Sequence, residues 1–324
     1  RFKIGEKEWK NELKMTMPGR FKLQKFLKQA KKSGCKYVVL EVTSQGIAQY
    51  RHKFINFKTA VFTNLSPEHI ESHGGFENYR KAKLKLFKVA KNTHIVNADD
   101  ESSKYFLDIP AVKKISFGLK DAENIKTGSM GYPGISFSFK GTEFNLNLLG
   151  KFNVYNALAA ICVGLSEGVS LALCKTALEK AKGIAGRMEL VVEKPFTVIV
   201  DYAHTPEQLE AVYKSLQDKP LICVLGSCGG CRDKWKRPVL GKIAKDYCKE
   251  VIITNEDPYD EDPIKIIEEV AKGADGKAQK ILDRREAIKT ALKLATPYDT
   301  VVITGKGSEP WMSIKNGKKI PWDD

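Results

Sequence analysis

No stretch of about 18 consecutive apolar residues occurs in the chain, so no hydrophobic helix long enough to span a bilayer is expected. An apolar leader is missing as well. The opening residues RFKIGEKEWKNELK are charged, whereas a secretory signal has a continuous apolar core. The cysteines number 7, odd and scattered through apparent strands and helices, which fits a reducing cytoplasm better than a disulfide framework. The pair Cys228 and Cys231 spells C-x-x-C, but a zinc site needs two more ligands, and no second C-x-x-C is present. A phosphate loop of the form G-x-x-x-x-G-K-[ST] occurs nowhere. Acid is in short supply: 54 Lys and Arg against 39 Asp and Glu leave a formal charge of +15. The sequence spreads its basic residues over helices without a nucleic-acid motif, so neither a nucleic-acid nor a membrane partner is expected. A positive field of this kind also suits an enzyme acting on polyanions.

What is present is an ordinary globular composition, 42% hydrophobic and 29% charged, over 324 residues, enough for two domains with separate cores. In the first half, apolar runs at 37–42 and 59–65 read as buried strands. Residues 62–87, FTNLSPEHIESHGGFENYRKAKLKLF, then pass from a strand end through Ser66-Pro67 into helical spacing. If the two strands were parallel neighbours, Glu41 and His69 would converge at their carboxyl ends, where open α/β sheets bind ligands. A carboxylate and an imidazole beside a helical lysine, Lys83, could hold a hard divalent cation. Residues 135–148 alternate apolar and polar around Lys140-Gly141-Thr142, a hairpin pattern. Asn153 reads as a helix cap.

Beyond Met188 four apolar runs, ending near Asp201, Gly226, Asn255 and Gly305, read as buried parallel strands separated by helices. This is the rhythm of a doubly wound α/β domain. A chemical motif follows each run. Thr205-Pro206 is a helix start with a capping hydroxyl and proline at the first position. Arg232, Lys236 and Arg237 stand at a helix start suited to anions.

These segments in this order resemble the Mur ligases, the ATP-dependent amide ligases of peptidoglycan precursor synthesis. The residues carrying the resemblance are EVTSQG from Glu41, FTNLSPEHIESHG from Phe62, AKLKLF from Ala82 and NVYNALAA from Asn153. AKGIAGR from Ala181, DYAHTP from Asp201, the CGGCRDKWKR stretch, NEDPYDEDP from Asn255 and GKGSE from Gly305 complete the set. The nearest branch adds the third residue of the stem peptide.

The resemblance implies a central ATPase-type domain, 1–187, lacking its N-terminal phosphate-loop part, and a Rossmann-like doubly wound domain, 188–324. The chain is accordingly expected to be an incomplete and by itself inactive piece of a larger ligase. Implied catalytic and magnesium-binding residues are Glu41, His69 and Lys83, the last carbamylated. Asn156, Arg187 and Asp201 are implied for ATP. Thr16, Thr43, Gln49 and Arg51 are implied for UDP-N-acetylmuramoyl-dipeptide. Glu256, Asp257, Tyr259, Gly305, Glu309, Arg232 and Arg237 are implied for the incoming free amino acid. Departures from the family pattern are Gln45 and Ser308 where it has histidine, Cys231 where it has aspartate, and Tyr259 where it has arginine. With an acidic loop around Tyr259, L-lysine or another basic amino acid is expected over diaminopimelate. The implied protein is a cytoplasmic monomer. Rivals are a folylpolyglutamate or cyanophycin type synthetase and a non-catalytic binding protein of the same fold.

Overall fold

The computed structural model describes residues 2–9, 11, 16–128, 134–230 and 232–324. Cys231, singled out in the sequence, lies outside the described residues. The chain packs as two units, Arg1–Phe117 and Gly118–Asp324.

In the first unit, three parallel strands pair in the order Thr59–Phe62, Thr93–Asn97, Lys113–Phe117. The helix Phe76–Val89 buries Tyr79, Ala82 and Phe87. Its apolar face packs with Phe62, Val96 and Phe106 into one core, in which the Phe62 and Phe106 rings stack at 3.8 Å. Full burial of one such ring is worth about 1.5–3 kcal/mol. The helix ends against His94, whose Nε2 lies 2.7 Å from the Ala90 carbonyl and 3.0 Å from that of Phe87, satisfying carbonyls that a helix end leaves open. A second helix, Arg20–Lys32, buries only Leu23 and Ala30.

The 37–42 run is not the buried strand its composition suggests. It forms no strand among the described residues, and Val39 is 92% exposed. Apolar and β-branched residues favour a strand, but the strand forms only where a neighbour takes its backbone hydrogen bonds and covers its faces.

The second unit carries a six-stranded sheet in the order Ala278–Ile281, Glu250–Thr254, Leu221–Leu225, Thr300–Thr304, Thr197–Asp201, Glu189–Val192. All neighbours are parallel except the last, antiparallel edge strand. The four central strands are buried along nearly their whole length, as the sequence predicts. Their near-continuous Val and Ile runs suit a sheet covered on both faces. Thr205 and Asp262 cap the helices Pro206–Leu216 and Pro263–Ala274, each with proline in the first turn.

The 118–187 stretch packs with this sheet, since Leu149 and Phe152 lie against its core. It also holds the expected hairpin, Ile135–Phe139 with Thr142–Leu146. Lys140 and Gly141 both have positive φ, at 49° and 72°, as a tight hairpin turn requires. Asn153 does not cap its helix, which begins at Phe152. Its side-chain amide donates instead to the Leu149 carbonyl at 2.7 Å. Among the described residues no helix is long and apolar enough to cross a membrane.

Candidate active site

In the first unit, polar chemistry gathers around the buried ring of Tyr79. The His73 ring lies 5.4 Å away, the His69 ring 6.1 Å, and the Lys83 Nζ 5.1 Å from its centroid. Residues four apart on a helix share a face, which puts Tyr79 and Lys83 side by side. His69 adopts φ 56°, an unusual conformation for a residue with a Cβ, at the start of the short helix Ile70–His73. Its Nε2 is 3.6 Å from Glu68 Oε1.

Burial pushes the Lys83 amine below the usual lysine range, against Glu68 and Glu41, which pull it up. Burial, and then the Lys83 charge, also lower the His73 pKa. The His73 Nε2 lies 3.1 Å from the buried Ser44 hydroxyl. Glu41 is exposed on the unpaired 37–42 segment. It reaches Lys83 through its field rather than through a strand end beside His69.

Around the helix Ser44–Ala48 a second cluster forms. The Thr43 hydroxyl accepts from the Gly46 N–H at 3.1 Å and caps the helix. Arg51 donates to the Met17 carbonyl and to the Gln49 side chain. A Cβ on Gly46 would stand 2.6 Å from Met17 Sδ, so this approach needs glycine. Thr16, Met17 and Glu41 line a cavity of about 650 Å³. Thr16, Gln49 and Gln45 are exposed.

Among the described residues no three His, Cys, Asp or Glu side chains stand together as a metal cage. Magnesium is commonly held by one or two protein carboxylates with substrate phosphates and waters. A half-buried amine disposed to lose its proton, between Glu41 and Glu68, is compatible with such a site once the amine carries a carboxylate.

In the second unit, the strand-end motifs meet one another. Asp201 accepts from the Met188 N–H at 2.7 Å and the Ala203 N–H at 2.6 Å. Burial raises its pKa nonetheless, opposed by those N–H groups and by Arg187 and His204. The Arg187 guanidinium lies 4.2 Å from the Tyr202 ring centroid. The Tyr202 hydroxyl donates to Glu309 at 3.3 Å, and burial drives its pKa upward. Lys306, fully buried, reaches Asp257 at 2.9 Å and Glu309 at 2.7 Å. Burial alone would lower its pKa, but the carboxylates outweigh it and hold it above the usual value.

Glu256 is 2% exposed. Its Oε1 accepts from the Cys228 thiol at 2.7 Å, while its buried Oε2 has no partner. Burial, and then Glu256, push the Cys228 thiol pKa up. A Cβ at Gly305, where φ is 105°, would lie 2.4 Å from that Oε2. The acids Glu256 and Asp257 are thus inside the site rather than solvated, while Asp260 and Asp262 are exposed.

Tyr259 is half-buried with φ 52°, and burial raises its pKa. Arg232 is half-buried and within Coulomb range of it. Arg237 does not present itself to a ligand. It is fully buried and donates to Glu269 at 2.7 Å, Glu261 at 3.0 Å and the Cys228 carbonyl at 3.1 Å. A guanidinium buried at a helix start must be neutralised from within when no ligand anion does so. Asn156 is exposed and donates to the Asn153 side chain at 2.8 Å.

The family description "Mur ligase middle domain" matches residues 2–164, and "Mur ligase, glutamate ligase domain" matches 186–307. The chain is 38% identical to the UDP-N-acetylmuramoyl-L-alanyl-D-glutamate--2,6-diaminopimelate ligase of Halalkalibacterium halodurans, over 97% of this chain and 67% of that protein. The chain belongs to the Mur ligases. It is also 36% identical to the UDP-N-acetylmuramyl-tripeptide synthetase of Roseiflexus sp. (strain RS-1), over 100% of this chain and 70% of the relative. A solved structure of a UDP-N-acetylmuramoyl-L-alanyl-D-glutamate--2,6-diaminopimelate ligase superposes with a TM-score of 0.59 at 32% identity, covering 94% of this chain and 66% of that one. The chain therefore spans about two thirds of the length of the relatives it matches.

Several residues of this candidate site were not singled out by sequence reasoning. His73 could have been found, since it follows His69 by four and falls in the same motif. Tyr79, four before Lys83, carries the same signal. Ser44, Tyr202 and Lys306 had none, nor had the pairing of Cys228 with Glu256, because these contacts join distant segments.

Proposed function

We propose that this Mur ligase chain serves ATP-dependent ligation of a diamino acid to UDP-N-acetylmuramoyl-L-alanyl-D-glutamate. A γ-carboxylate oxygen of the peptide attacks the γ-phosphorus of ATP, and ADP leaves. The incoming α-amine then attacks the acyl carbon of the acyl-phosphate, phosphate leaves with the bridging oxygen, and the amine proton passes to solvent. The observation that carries this reading is Lys83. Its amine is pushed toward neutrality by burial and stands on the Tyr79 ring with His69 and His73 nearby. A neutral amine adds CO2 to form a carbamate; an ammonium does not.

In this reading Glu41, His69 and carbamylated Lys83 would hold Mg2+, which would supply charge neutralisation at the phosphates. Arg51 and Thr43 orient the muramoyl-dipeptide, with Thr16 and Gln49 beside them. Arg187, Asp201 and Asn156 face the nucleotide. Arg187 suits phosphate because a planar guanidinium donates two parallel bonds. Glu256 is suited to an ammonium by its unpartnered buried oxygen; Gly305 leaves room for that oxygen, and Glu309 and Asp257 fix Lys306 beside it. In this reading the family modules divide at 187/188, two residues into the second matched stretch, 186–307. In this reading the protein acts in the cytoplasm and as a monomer.

L-Lysine is the favoured diamino acid. Tyr259 stands where a clamp for a distal carboxylate needs arginine, and Arg237 is spent on Glu261 and Glu269. Competition between L-lysine and meso-diaminopimelate, in a protein joining this chain to a phosphate-loop segment, tests this choice. A higher kcat/KM for lysine is expected; a higher value for diaminopimelate overturns the specificity and assigns the clamp to another cation.

A further inference from the structure

One face of the first unit is unused by the ligase site. The helix Arg20–Lys32 has no acidic residue in its first turn and ends in Lys31 and Lys32. No Asp or Glu occurs anywhere between residues 16 and 40. At 3.6 residues per turn, Phe21, Lys25, Lys28 and Lys32 form one stripe, turned away from the buried Leu23 and Ala30. All four are exposed, and Phe21 is 93% exposed.

A second exposed ring belongs to a turn bonded to this helix. Gln24 Nε2 donates to the Phe54 carbonyl at 3.1 Å, tying the 50–54 turn to the helix, and Phe54 is 85% exposed. Phe54 and Tyr50 both adopt positive φ, 66° and 55°, a conformation bulky residues take only when the surroundings impose it. Lys53 Nζ lies 4.5 Å from the Tyr50 ring centroid. The helix thus presents Phe21 among its exposed lysines, and a turn bonded to the same helix exposes Tyr50 and Phe54.

We propose that this face docks on an anionic lipid bilayer. Lysines arrayed around an exposed phenylalanine on a convex helix, with a second exposed phenylalanine on the turn tied to it, suit a planar surface, where the rings enter the headgroup boundary and the ammonium groups meet lipid phosphates. Single-stranded nucleic acid would also accept cations and rings, but it favours a groove that tracks its backbone.

Co-sedimentation of the 324-residue chain with phosphatidylcholine vesicles, pure or containing roughly 30% phosphatidylglycerol, tests the proposal. Binding to the anionic vesicles alone, weakening with salt, is expected. Lys25→Gln and Lys28→Gln should each lower the partition coefficient about fivefold. Joint Phe21→Ser and Phe54→Ser should lower it by roughly tenfold at unchanged charge. Circular dichroism establishes that each variant keeps its fold. Equal sedimentation with neutral and anionic vesicles, indifference to the phenylalanine substitutions, or stronger binding to a single-stranded RNA oligomer than to the vesicles would each overturn it.

Discussion

Replacing Lys306 with methionine tests the polar core of the second unit. The Lys306 side chain is fully buried, and its partner Asp257 is 8% exposed by side chain. Asp257 also accepts the Ser313 N–H at 2.7 Å, so without the lysine its charge would keep one backbone donor in a nearly dry site. Removing one member of a buried ion pair costs about 3–5 kcal/mol. Glu309, 37% exposed, can turn to water and adds little. For a unit of this size each kcal/mol moves the midpoint by roughly 2–4 °C, so Lys306→Met should lower Tm by about 6–20 °C.

Because the folded pKa of Lys306 lies above its ordinary value of 10.5, the stabilisation is complete at neutral pH. It is lost only as pH rises through the folded value. Thermal unfolding followed by circular dichroism reads the shift, and Asp257→Asn in the same chain should recover most of it, since the orphaned charge is the cost. A Lys306→Met protein that melts within about 1 °C of the parent at neutral pH would refute the reasoning.

Three further outcomes follow from the site. In a protein completed with a phosphate-loop segment, Lys83→Ala should lower turnover by orders of magnitude, since a positioned charge at phosphoryl transfer is worth several kcal/mol; it should also abolish the 13C carbamate signal acquired from labelled bicarbonate. Near-parental turnover would show that the carbamate is not needed. Gly305→Ala forces a Cβ to within 2.4 Å of Glu256 Oε2 at a φ of 105°, so KM for the amino acid should rise at least about tenfold; an unchanged KM would remove Glu256 from that contact. Tyr259→Arg should shift kcat/KM toward meso-diaminopimelate by about tenfold or more through a charge-assisted pair. An unaltered ratio would place the distal recognition elsewhere.

The second unit was legible in the sequence because its determinants are local. Continuous Val and Ile runs mark its central strands, and Thr205-Pro206 and Asp262-Pro263 mark helix starts whose caps are satisfied within a turn. The edge strands Glu189–Val192 and Ala278–Ile281 were missed. The first is exposed along its length, so no buried pattern announces it. The 37–42 run fails in the opposite sense, having strand composition without a strand neighbour.

The motifs singled out Lys83 and His69, which stand around the Tyr79 ring, and Asp201, which holds the Met188 and Ala203 N–H groups. The meeting of Tyr202 with Glu309 depends on residues 107 apart, a contact no local pattern encodes. Arg237 was misjudged because its type and place at a helix start suit an anion equally well whether the anion is a ligand or Glu261 and Glu269.

The acyl-phosphate is the step on which the account rests, and oxygen transfer tests it most directly. UDP-N-acetylmuramoyl-dipeptide labelled with 18O in the D-glutamate γ-carboxylate is turned over with ATP, Mg2+ and L-lysine by the completed protein, and the released phosphate is analysed by mass spectrometry. One labelled oxygen in each phosphate is the predicted result, because the attacking carboxylate oxygen departs with phosphorus when the amine adds. Tripeptide formation with unlabelled phosphate, or phosphate release that does not require the dipeptide, would contradict it.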